Sequence, residues 1–173
     1  MVEPTTALHT QWLAAHDDWG AGTHQDGAGL LADDDVRTRH GFALWVGRLR
    51  RESDTTVPPA AGRVHCTYWW IADGDTVLGT ISLRHRLNDF LLGAGGHIGY
   101  GIRPSARRRG VATWALGQVL ATAGTYGLDR VLITCADDNV ASARVIEHHG
   151  GLLEDVRDTE LGRTRRYWVT LPL

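Results

Sequence analysis

Apolar positions in the first sixty residues recur at helical spacing and predict two helices. The first helix follows Thr5 or Thr6, either of which suits an N-cap, and its apolar positions are Leu8, Trp12, Leu13 and Trp19. The glycine-rich stretch 20–29 predicts a loop. A second helix is expected to start near residues 32–35, because the acidic side chains of ADDD suit a helix N-terminus. Its predicted inner face consists of Val36, Phe42, Trp45, Val46 and Leu49.

From residue 63 onward the period of the pattern changes to that of strands. The segments VHCTYWWIA and TVLGTISLRH flank the turn sequence DGD at 73–75, which predicts a β-hairpin. The adjacent Trp69 and Trp70 are expected to face opposite sides of the sheet. Residues 97–103 alternate apolar and small positions and predict a third strand.

The last third of the chain alternates between the two kinds of element. An apolar helical stripe follows Gly110 and ends near Gly124 or Gly127, and DRVLITCA predicts a strand buried on both faces. The segment DDNVASARVIEHHGG predicts a helix with Asp138 or Asn139 as its cap and Gly150 as its stop, and RTRRYWVTL predicts a closing strand. This order indicates an α/β fold with a mixed (α+β) sheet in one domain, residues 1–173.

The amino-acid composition and net charge of the chain disfavour several classes of function. A chain of 173 residues with 43% apolar and 22% charged residues is typical of one soluble domain, and a net charge of −2 disfavours general binding to nucleic acid or an anionic membrane. No apolar run approaches the roughly 20 residues of a membrane span. The start of the chain does not resemble a signal peptide, so Cys66 and Cys135 are expected to be free thiols in a cytoplasmic protein. All 18 basic residues are arginine, which excludes a lysine Schiff base.

The stretch GYGIRPSARRRGVA, residues 99–112, concentrates positive charge in a slightly acidic protein. Four arginines lie between positions 103 and 109, and Gly110 and a predicted helix follow at once. A solvated basic turn is one interpretation. A phosphate site is the other, since free amides and the dipole at a helix start attract anions, and a glycine lets a ligand approach the backbone. The strand–turn–helix context favours the phosphate site, although neither GxxxxGK[ST] nor a dinucleotide fingerprint is present.

The residues of this turn resemble a known family signature. The spacing Arg107-x-x-Gly110-x-Ala112 is similar to the [QR]xxGx[GA] motif of the GNAT superfamily of N-acetyltransferases. The resemblance continues over residues 63–173, where VLITCADDNVASARVIEHHGG is similar to the next strand and helix of the family. Asn139, Ser142, Glu147 and Gly150 fill the recurring positions of that segment. The stretch GGHIGYGIRP further resembles a bacterial subgroup of acetyltransferases.

This resemblance implies the fold and the donor. It implies a central, mostly antiparallel twisted sheet with a splayed pair of parallel strands, flanked by helices, and acetyl-CoA as co-substrate. The pantetheine arm would enter the gap between the splayed strands near Tyr100, Gly101 and Ile102. Asn139 and Ser142 would lie beside it, and the pyrophosphate would be held by the turn made of Arg107, Arg108, Arg109, Gly110, Val111, Ala112 and Thr113. No metal is implied.

Acetyl transfer to an amine requires a route for the amine proton and for the departing thiolate. The place where many relatives carry a catalytic Glu is occupied here by His97, which either acts as the base or only packs at a strand end. Relatives often carry, at the position of Ile146, a Tyr that protonates the departing thiolate. The hydrocarbon side chain of isoleucine cannot donate a proton. Tyr100, Tyr167 or water would then protonate the thiolate.

The acceptor side is less clearly marked. His85, Arg86 and Asn88, together with Arg84, follow the second strand of the hairpin and are candidates for acceptor recognition. The resemblance implies that the helical part, residues 1–62, forms a wall of the acceptor site and that residues 63–173 form the cofactor-binding core.

Three functions are compatible with these residues. The leading hypothesis is an enzyme that moves an acetyl group from acetyl-CoA to a primary amine of a small molecule or peptide, by direct attack in a ternary complex. A non-catalytic acyl-CoA sensor of the same fold is the alternative, and the missing Tyr supports it. A nucleic-acid surface at the arginines is disfavoured by the net charge. A homodimer is a further expectation.

Overall fold

The computed structural model describes residues 1–172 as four α-helices packed on one six-stranded sheet. The helices are α1 (His9–Asp18), α2 (Arg39–Ser53), α3 (Val111–Ala123) and α4 (Val140–His148). The strands are β1 (Cys66–Asp73), β2 (Thr76–Arg84), β3 (Ile98–Ile102), β4 (Arg130–Ala136), β5 (Leu152–Thr159) and β6 (Gly162–Thr170). A π-helical turn, Leu91–Gly95, precedes β3, and 3-10 turns cover Thr6–Leu8, Pro104–Ala106 and Gly124–Tyr126.

The sheet has the strand order β1-β2-β3-β4-β6-β5. All neighbouring strands are antiparallel except β3 and β4, which are parallel and share a single register pair, Ile98 with Ile133. After that pair the two strands separate toward their carboxyl ends. The prediction of a mixed α/β sheet with one splayed parallel pair is therefore confirmed.

Two hydrophobic clusters stabilise the fold from opposite faces of the sheet. On one face α3 and α4 bury aliphatic side chains such as Leu116 and Ile146 against β2, β3, β4 and β6. On the other face the rings of Trp12, Phe42, Trp45 and Trp70 join α1 and α2 to β1. Trp70 belongs to this aromatic cluster, whereas Trp69 packs on the aliphatic one, as strand alternation predicts.

The start of α2 was predicted wrongly. The helix begins at Arg39 and not near residues 32–35, because Thr38 is its N-cap and accepts a hydrogen bond from the Gly41 amide (3.1 Å). The acidic residues before it have other partners. Asp35 accepts a hydrogen bond from the Thr38 hydroxyl (2.7 Å), and Asp34 forms an ion pair with Arg48 of α2 (2.5 Å). The acidic residues before α2 were therefore not a reliable indicator of where the helix begins.

The other predicted boundaries are close to those observed. Thr5 caps the first turn, Asn139 caps α4, and α3 ends at Ala123 beside Gly124. The additional strand β5 forms a hairpin with β6, and the hydrophobic pattern did not mark it because most of its side chains are exposed. Cys66 and Cys135 are free and buried.

Candidate functional site

A first cavity of about 440 Å³ opens where β3 and β4 separate. It lies between the carboxyl end of β3, the turn at 103–110 and the first turns of α3 and α4. The residues that line it are Trp19, Asp26, Tyr100, Gly101, Ile102, Ala106, Arg107, Arg108, Gly110, Val111, Ala112, Thr113, Asn139, Ala141, Ser142 and Val145. Its volume is within the range of small-molecule sites.

The turn between β3 and α3 presents its backbone to this cavity. Arg108 and Gly110 both have positive φ, +60° and +75°, which is unusual for an arginine. The first backbone hydrogen bond of α3 runs from the Trp114 amide to the Gly110 carbonyl (2.9 Å), and Gly110 caps the helix with no side chain. The preceding amides therefore have no acceptor within the helix, and the helix dipole adds positive potential. This arrangement suits an anion.

The four arginines of the turn have different partners. The Nε of Arg103 donates to Asp18 at the end of α1 (2.8 Å), so this arginine is structural. The Nε of Arg107 donates to the Ile102 carbonyl (3.0 Å), and its guanidinium lies 5.0 Å from the Trp19 ring centre. Arg108 lines the cavity, whereas Arg109 does not. Two arginines, Arg107 and Arg108, therefore supply the charge around the cavity.

Asp18 connects the end of α1 to the same turn. Besides the Arg103 Nε, its carboxylate accepts hydrogen bonds from the Ser105 hydroxyl (2.6 Å) and the Ser105 amide (3.1 Å). The hydrogen bond from Arg103, with those from Ser105, lowers the pKa of Asp18 to about 2. Trp19 follows directly and packs above Gly101, where an added Cβ would lie 3.0 Å from the indole.

Opposite the turn, β3 and α4 supply three of the predicted side chains. The Tyr100 hydroxyl donates to the Ser142 carbonyl (3.4 Å), and burial raises the pKa of Tyr100 to about 12, so it keeps its proton at neutral pH. The Asn139 Oδ1 accepts from the Ser142 amide (3.1 Å) as the cap of α4. Apart from Arg109, every predicted cofactor-binding residue lines the first cavity, and so does Tyr100.

His97 lies outside the lining of this cavity, at the point where β3 and β4 separate. Its amide donates to the Leu132 carbonyl (2.7 Å), and its ring Nδ1 accepts from the Leu132 amide (2.9 Å). Burial, and secondly the charge of Arg84, lowers the pKa of His97 to about 4. The ring is therefore neutral, with its Nδ1 lone pair used in a backbone contact.

A second cavity of about 230 Å³ lies on the far side of β3, under the loop between α1 and α2. Its walls come from distant parts of the chain: His24, Gln25, Asp26, Gly27, Gly29, Leu30, Leu31, Glu52, Gly62, Arg63, Val64, Cys66, Tyr68, Ser82, Arg84, Asn88, Phe90 and Leu91. Asp26 is the one residue that belongs to the linings of both cavities. The two cavities therefore meet at Asp26.

Glu52 organises the polar side of the second cavity. Its carboxylate accepts hydrogen bonds from the Tyr68 hydroxyl (2.5 Å), from Arg48 (3.0 Å) and from Arg63 (3.0 Å). Burial, followed by the charges of Cys66 and Glu52, raises the pKa of Tyr68. The negative charge of Glu52 is thus held between two guanidinium groups, and the network fixes the position of three elements of the wall.

Of the residues predicted for acceptor recognition, Arg84 and Asn88 line the second cavity, whereas His85 and Arg86 do not. The His85 ring shares a hydrogen bond with the Thr67 hydroxyl (2.8 Å) and packs on Tyr126, and burial lowers the pKa of this histidine. Asn88 bonds to the Gly62 carbonyl and the Leu91 amide. Sequence reasoning missed the segment 24–31 and Tyr68, and only the turn-forming glycines near 24–31 mark this region.

The described part of the chain, residues 1–172, contains no cluster of three or more His, Cys, Asp or Glu side chains that could hold a metal ion. Among these residues, no helix has the length and apolar character to cross a membrane.

The family model of the acetyltransferase (GNAT) domain matches residues 30–151 of the chain. This range includes β1 to β4, the arginine turn and helices α2 to α4. No curated protein matches the sequence.

Several solved structures share the fold at low sequence identity. The microcin C7 self-immunity acetyltransferase MccE, in complex with acetyl-CoA and AMP, superposes with a TM-score of 0.69 at 15% identity, covering 98% of this chain and 90% of that one. The Salmonella typhimurium acetyltransferase that modifies the N-terminal serine of ribosomal protein L7/L12 gives 0.65 at 16%, covering 98% and 93%. Mycobacterium smegmatis RimJ, in complex with CoA-disulfide, gives 0.63 at 19%, covering 95% and 76%.

Proposed function

Because this chain belongs to the GNAT family of acetyltransferases, we propose that it transfers the acetyl group of acetyl-CoA to a primary amine of a small molecule or peptide. The observation that carries the proposal is the meeting of a helix N-terminus and a splayed strand in one cavity. The amides of the turn and of the first residues of α3, with Arg107 and Arg108, would hold the pyrophosphate. The solved structures that share the fold and contain acetyl-CoA or CoA-disulfide support the choice of donor.

The rest of the first cavity fits a pantetheine arm. Beyond Ile98 the edge of β3 that faces the gap has no register partner in β4, so backbone groups at 100–102 are available to an amide-containing chain. Val145 and Ala141 offer apolar contacts on the α4 side, and Asn139 and Ser142 offer polar ones. When bound, acetyl-CoA supplies an activated acyl group whose leaving group is a thiolate.

The second cavity is the proposed acceptor site, since it meets the first at Asp26. Its roof is the α1–α2 loop and one wall carries Glu52 from α2, which supports the proposal that residues 1–62 contribute to the acceptor site. The lining carries two acidic side chains, Asp26 and Glu52, and two arginines, Arg63 and Arg84. An acceptor that bears an amine finds carboxylates there, and the arginines suit a polar or anionic substituent on the same molecule.

Direct transfer forms a bond between the amine nitrogen and the acyl carbon and breaks the bond from that carbon to sulfur. We assign Tyr100 as the proton donor to the departing thiolate, because its protonated hydroxyl lines the donor cavity. The other tyrosine considered, Tyr167, is buried and donates to Glu147 (2.9 Å) outside the cavity. Ile146 is fully buried in the aliphatic cluster. The geometry of His97 supports a structural role rather than that of the base.

The test is release of free CoA thiol from acetyl-CoA across aminoglycosides, polyamines, amino acids and peptides with free N-termini. An enzyme-only blank controls for Cys66 and Cys135. Amine-dependent release, with the acetylated amine identified by mass spectrometry, is the expected result. Acetyl-CoA binding without release from any amine class would instead support the sensor function. Absence of binding would overturn the assignment of the first cavity.

A further inference from the structure

We propose that Asp26, a residue to which sequence patterns gave no role, is a catalytic residue that binds the acceptor amine and removes its proton. This inference rests on the proposed function, since it assigns a role within that reaction. Asp26 alone among residues 1–172 lies in the linings of both cavities. An amine that moves from the second cavity toward an acyl carbon held in the first would pass this residue.

The backbone of the Asp26 segment is fixed against the middle of the sheet. The buried Thr80 hydroxyl of β2 donates to the Asp26 carbonyl (3.1 Å). Glycines permit the close approach: a Cβ on Gly101 would lie 2.9 Å from the same carbonyl oxygen, and a Cβ on Gly27 would lie 2.5 Å from the Gly99 carbonyl oxygen. Although the segment is a loop, the position of Asp26 relative to β3 is therefore set by direct backbone contact.

The Asp26 side chain is free to receive a ligand. Its one ion pair is with His24 on the same loop, at 3.1 Å, and the side chains of both residues are mostly exposed, 70% for Asp26. The Asp26 backbone packs over Gly101, whereas the Tyr100 side chain packs on the aliphatic cluster and its hydroxyl reaches the Ser142 carbonyl, so the two residues approach the gap between β3 and β4 from opposite faces of the sheet. The proposed base and the proposed proton donor would thus act on the acyl group from the two faces of the sheet.

The other titratable groups near the junction are already engaged. The Glu52 carboxylate holds Tyr68, Arg48 and Arg63, and the His97 Nδ1 accepts from the backbone of Leu132. Both side chains are therefore already used in contacts that hold the structure together. The Asp26 carboxylate makes no comparable structural contact; its one ion pair is the exposed one with His24.

The reaction steps balance with this assignment. The neutral amine adds to the acyl carbon, and its nitrogen becomes positively charged as the bond forms. The carboxylate of Asp26 stabilises that charge and accepts the N–H proton, directly or through one water, while the carbon–sulfur bond breaks. The thiolate receives a proton from Tyr100, and both groups return to their starting states through exchange with solvent. No oxidant, reductant or metal is required.

The decisive variant is Asp26→Asn, which keeps the shape of the side chain and removes its basicity. We expect kcat/KM for the amine to fall by about 100-fold or more, the typical contribution of a general base, with the dissociation constant for acetyl-CoA unchanged within about threefold. Asp26→Glu should recover part of the loss. Added formate should raise the rate of Asp26→Ala but not that of the wild type.

The matched control is Asp75→Asn in the exposed turn of the β1–β2 hairpin, which should leave both parameters unchanged. If the wild type acetylates an amine and Asp26→Asn retains its kcat/KM within about threefold, the inference is overturned while the proposed function stands. Loss of acetyl-CoA binding in Asp26→Asn would also overturn it, because the role would then be structural. A wild type inactive toward every amine class would overturn the proposed function itself.

Discussion

The first and second cavities lie on opposite sides of β3 and are constructed in different ways. The first is formed mainly by one continuous stretch, residues 100–113, which presents backbone amides and glycines to the cavity. The second is formed by side chains from five separated segments, tied together by the Glu52 network and the loop at 24–31. This difference fits the proposed roles, because a donor common to a family can be bound by backbone groups, whereas an acceptor specific to one protein requires particular side chains.

The largest effect should come from the backbone of the first cavity. A side chain at Gly110, where φ is +75°, strains the turn and adds atoms where the pyrophosphate is expected. Gly110→Val should weaken acetyl-CoA binding by about 100-fold, which corresponds to the loss of one or two charge-assisted hydrogen bonds. Isothermal titration calorimetry measures this directly.

Gly74→Val is the matched control for the preceding variant. Gly74 also has positive φ (+55°) and open space around its Cβ position, but it lies in the β1–β2 hairpin. It should lower stability without changing the affinity for acetyl-CoA. Equal weakening by both variants would show that strain, and not the anion site, governs binding.

A smaller effect should appear at the junction of β3 and β4, where a side chain supports the backbone of the first cavity. The folded pKa of His97, about 4, lies below the ordinary value of about 6.5, so the unfolded chain binds a proton that the folded chain does not. Stability from this group is complete above pH 6.5 and is lost as the pH falls toward 4. By pH 5 the loss should be about 2 kcal/mol in the free energy of unfolding.

Urea unfolding at pH 8 and pH 5 tests this expectation, with His97→Gln as the comparison. The glutamine amide can accept from the Leu132 N–H but does not titrate in this range, so its stability should change less with pH. The same variant should keep most of its acetylation activity. If His97→Gln loses more activity than the decrease in its folded fraction explains, His97 would instead be assigned as the base.

The second cavity should respond through acceptor binding. Glu52→Gln weakens the contacts with Arg48, Arg63 and Tyr68, and it should raise the KM for the amine by about tenfold. The KM for acetyl-CoA should stay the same. Glu160→Gln, in the exposed turn between β5 and β6, is the control. If the KM values for the amine and for acetyl-CoA rise together, the two cavities do not bind the two substrates separately.

The smallest effect is expected where the end of α1 is joined to the turn between β3 and α3. Asp18→Asn weakens the contacts of α1 with Arg103 and Ser105, so the KM for acetyl-CoA should rise by about two- to fivefold. Because the pKa of Asp18 is lowered to about 2, its contribution to stability is present above about pH 4 and disappears as the pH falls through 2. Steady-state kinetics at pH 7.5 tests the first statement and acid unfolding tests the second. An Asp18→Asn KM equal to that of the wild type would show that α1 does not support the turn.

The same contrast explains what could be predicted from the sequence. Most residues that line the first cavity were expected from the resemblance of residues 99–112 and 131–151 to a family signature, whereas Trp19 and Asp26, from the end of α1 and the loop after it, were not expected. Arg109 was expected at this site but does not line the cavity. The second cavity depends on contacts across long sequence separations, such as Glu52 with Tyr68, which no local pattern marks. The start of α2 was missed because Asp34 and Asp35 bond to side chains outside the first helical turn.

The single register pair between β3 and β4 has a consequence for cooperativity. The six strands amount to two antiparallel half-sheets, β1-β2-β3 and β4-β6-β5, which share one hinge at Ile98 and Ile133. A ligand in the gap that bonds to β3 and contacts α4 spans both halves, as a further strand would. The bound donor would then become an internal part of the sheet, adding contacts between two halves that the aliphatic cluster already joins and so stabilising them as one cooperative unit.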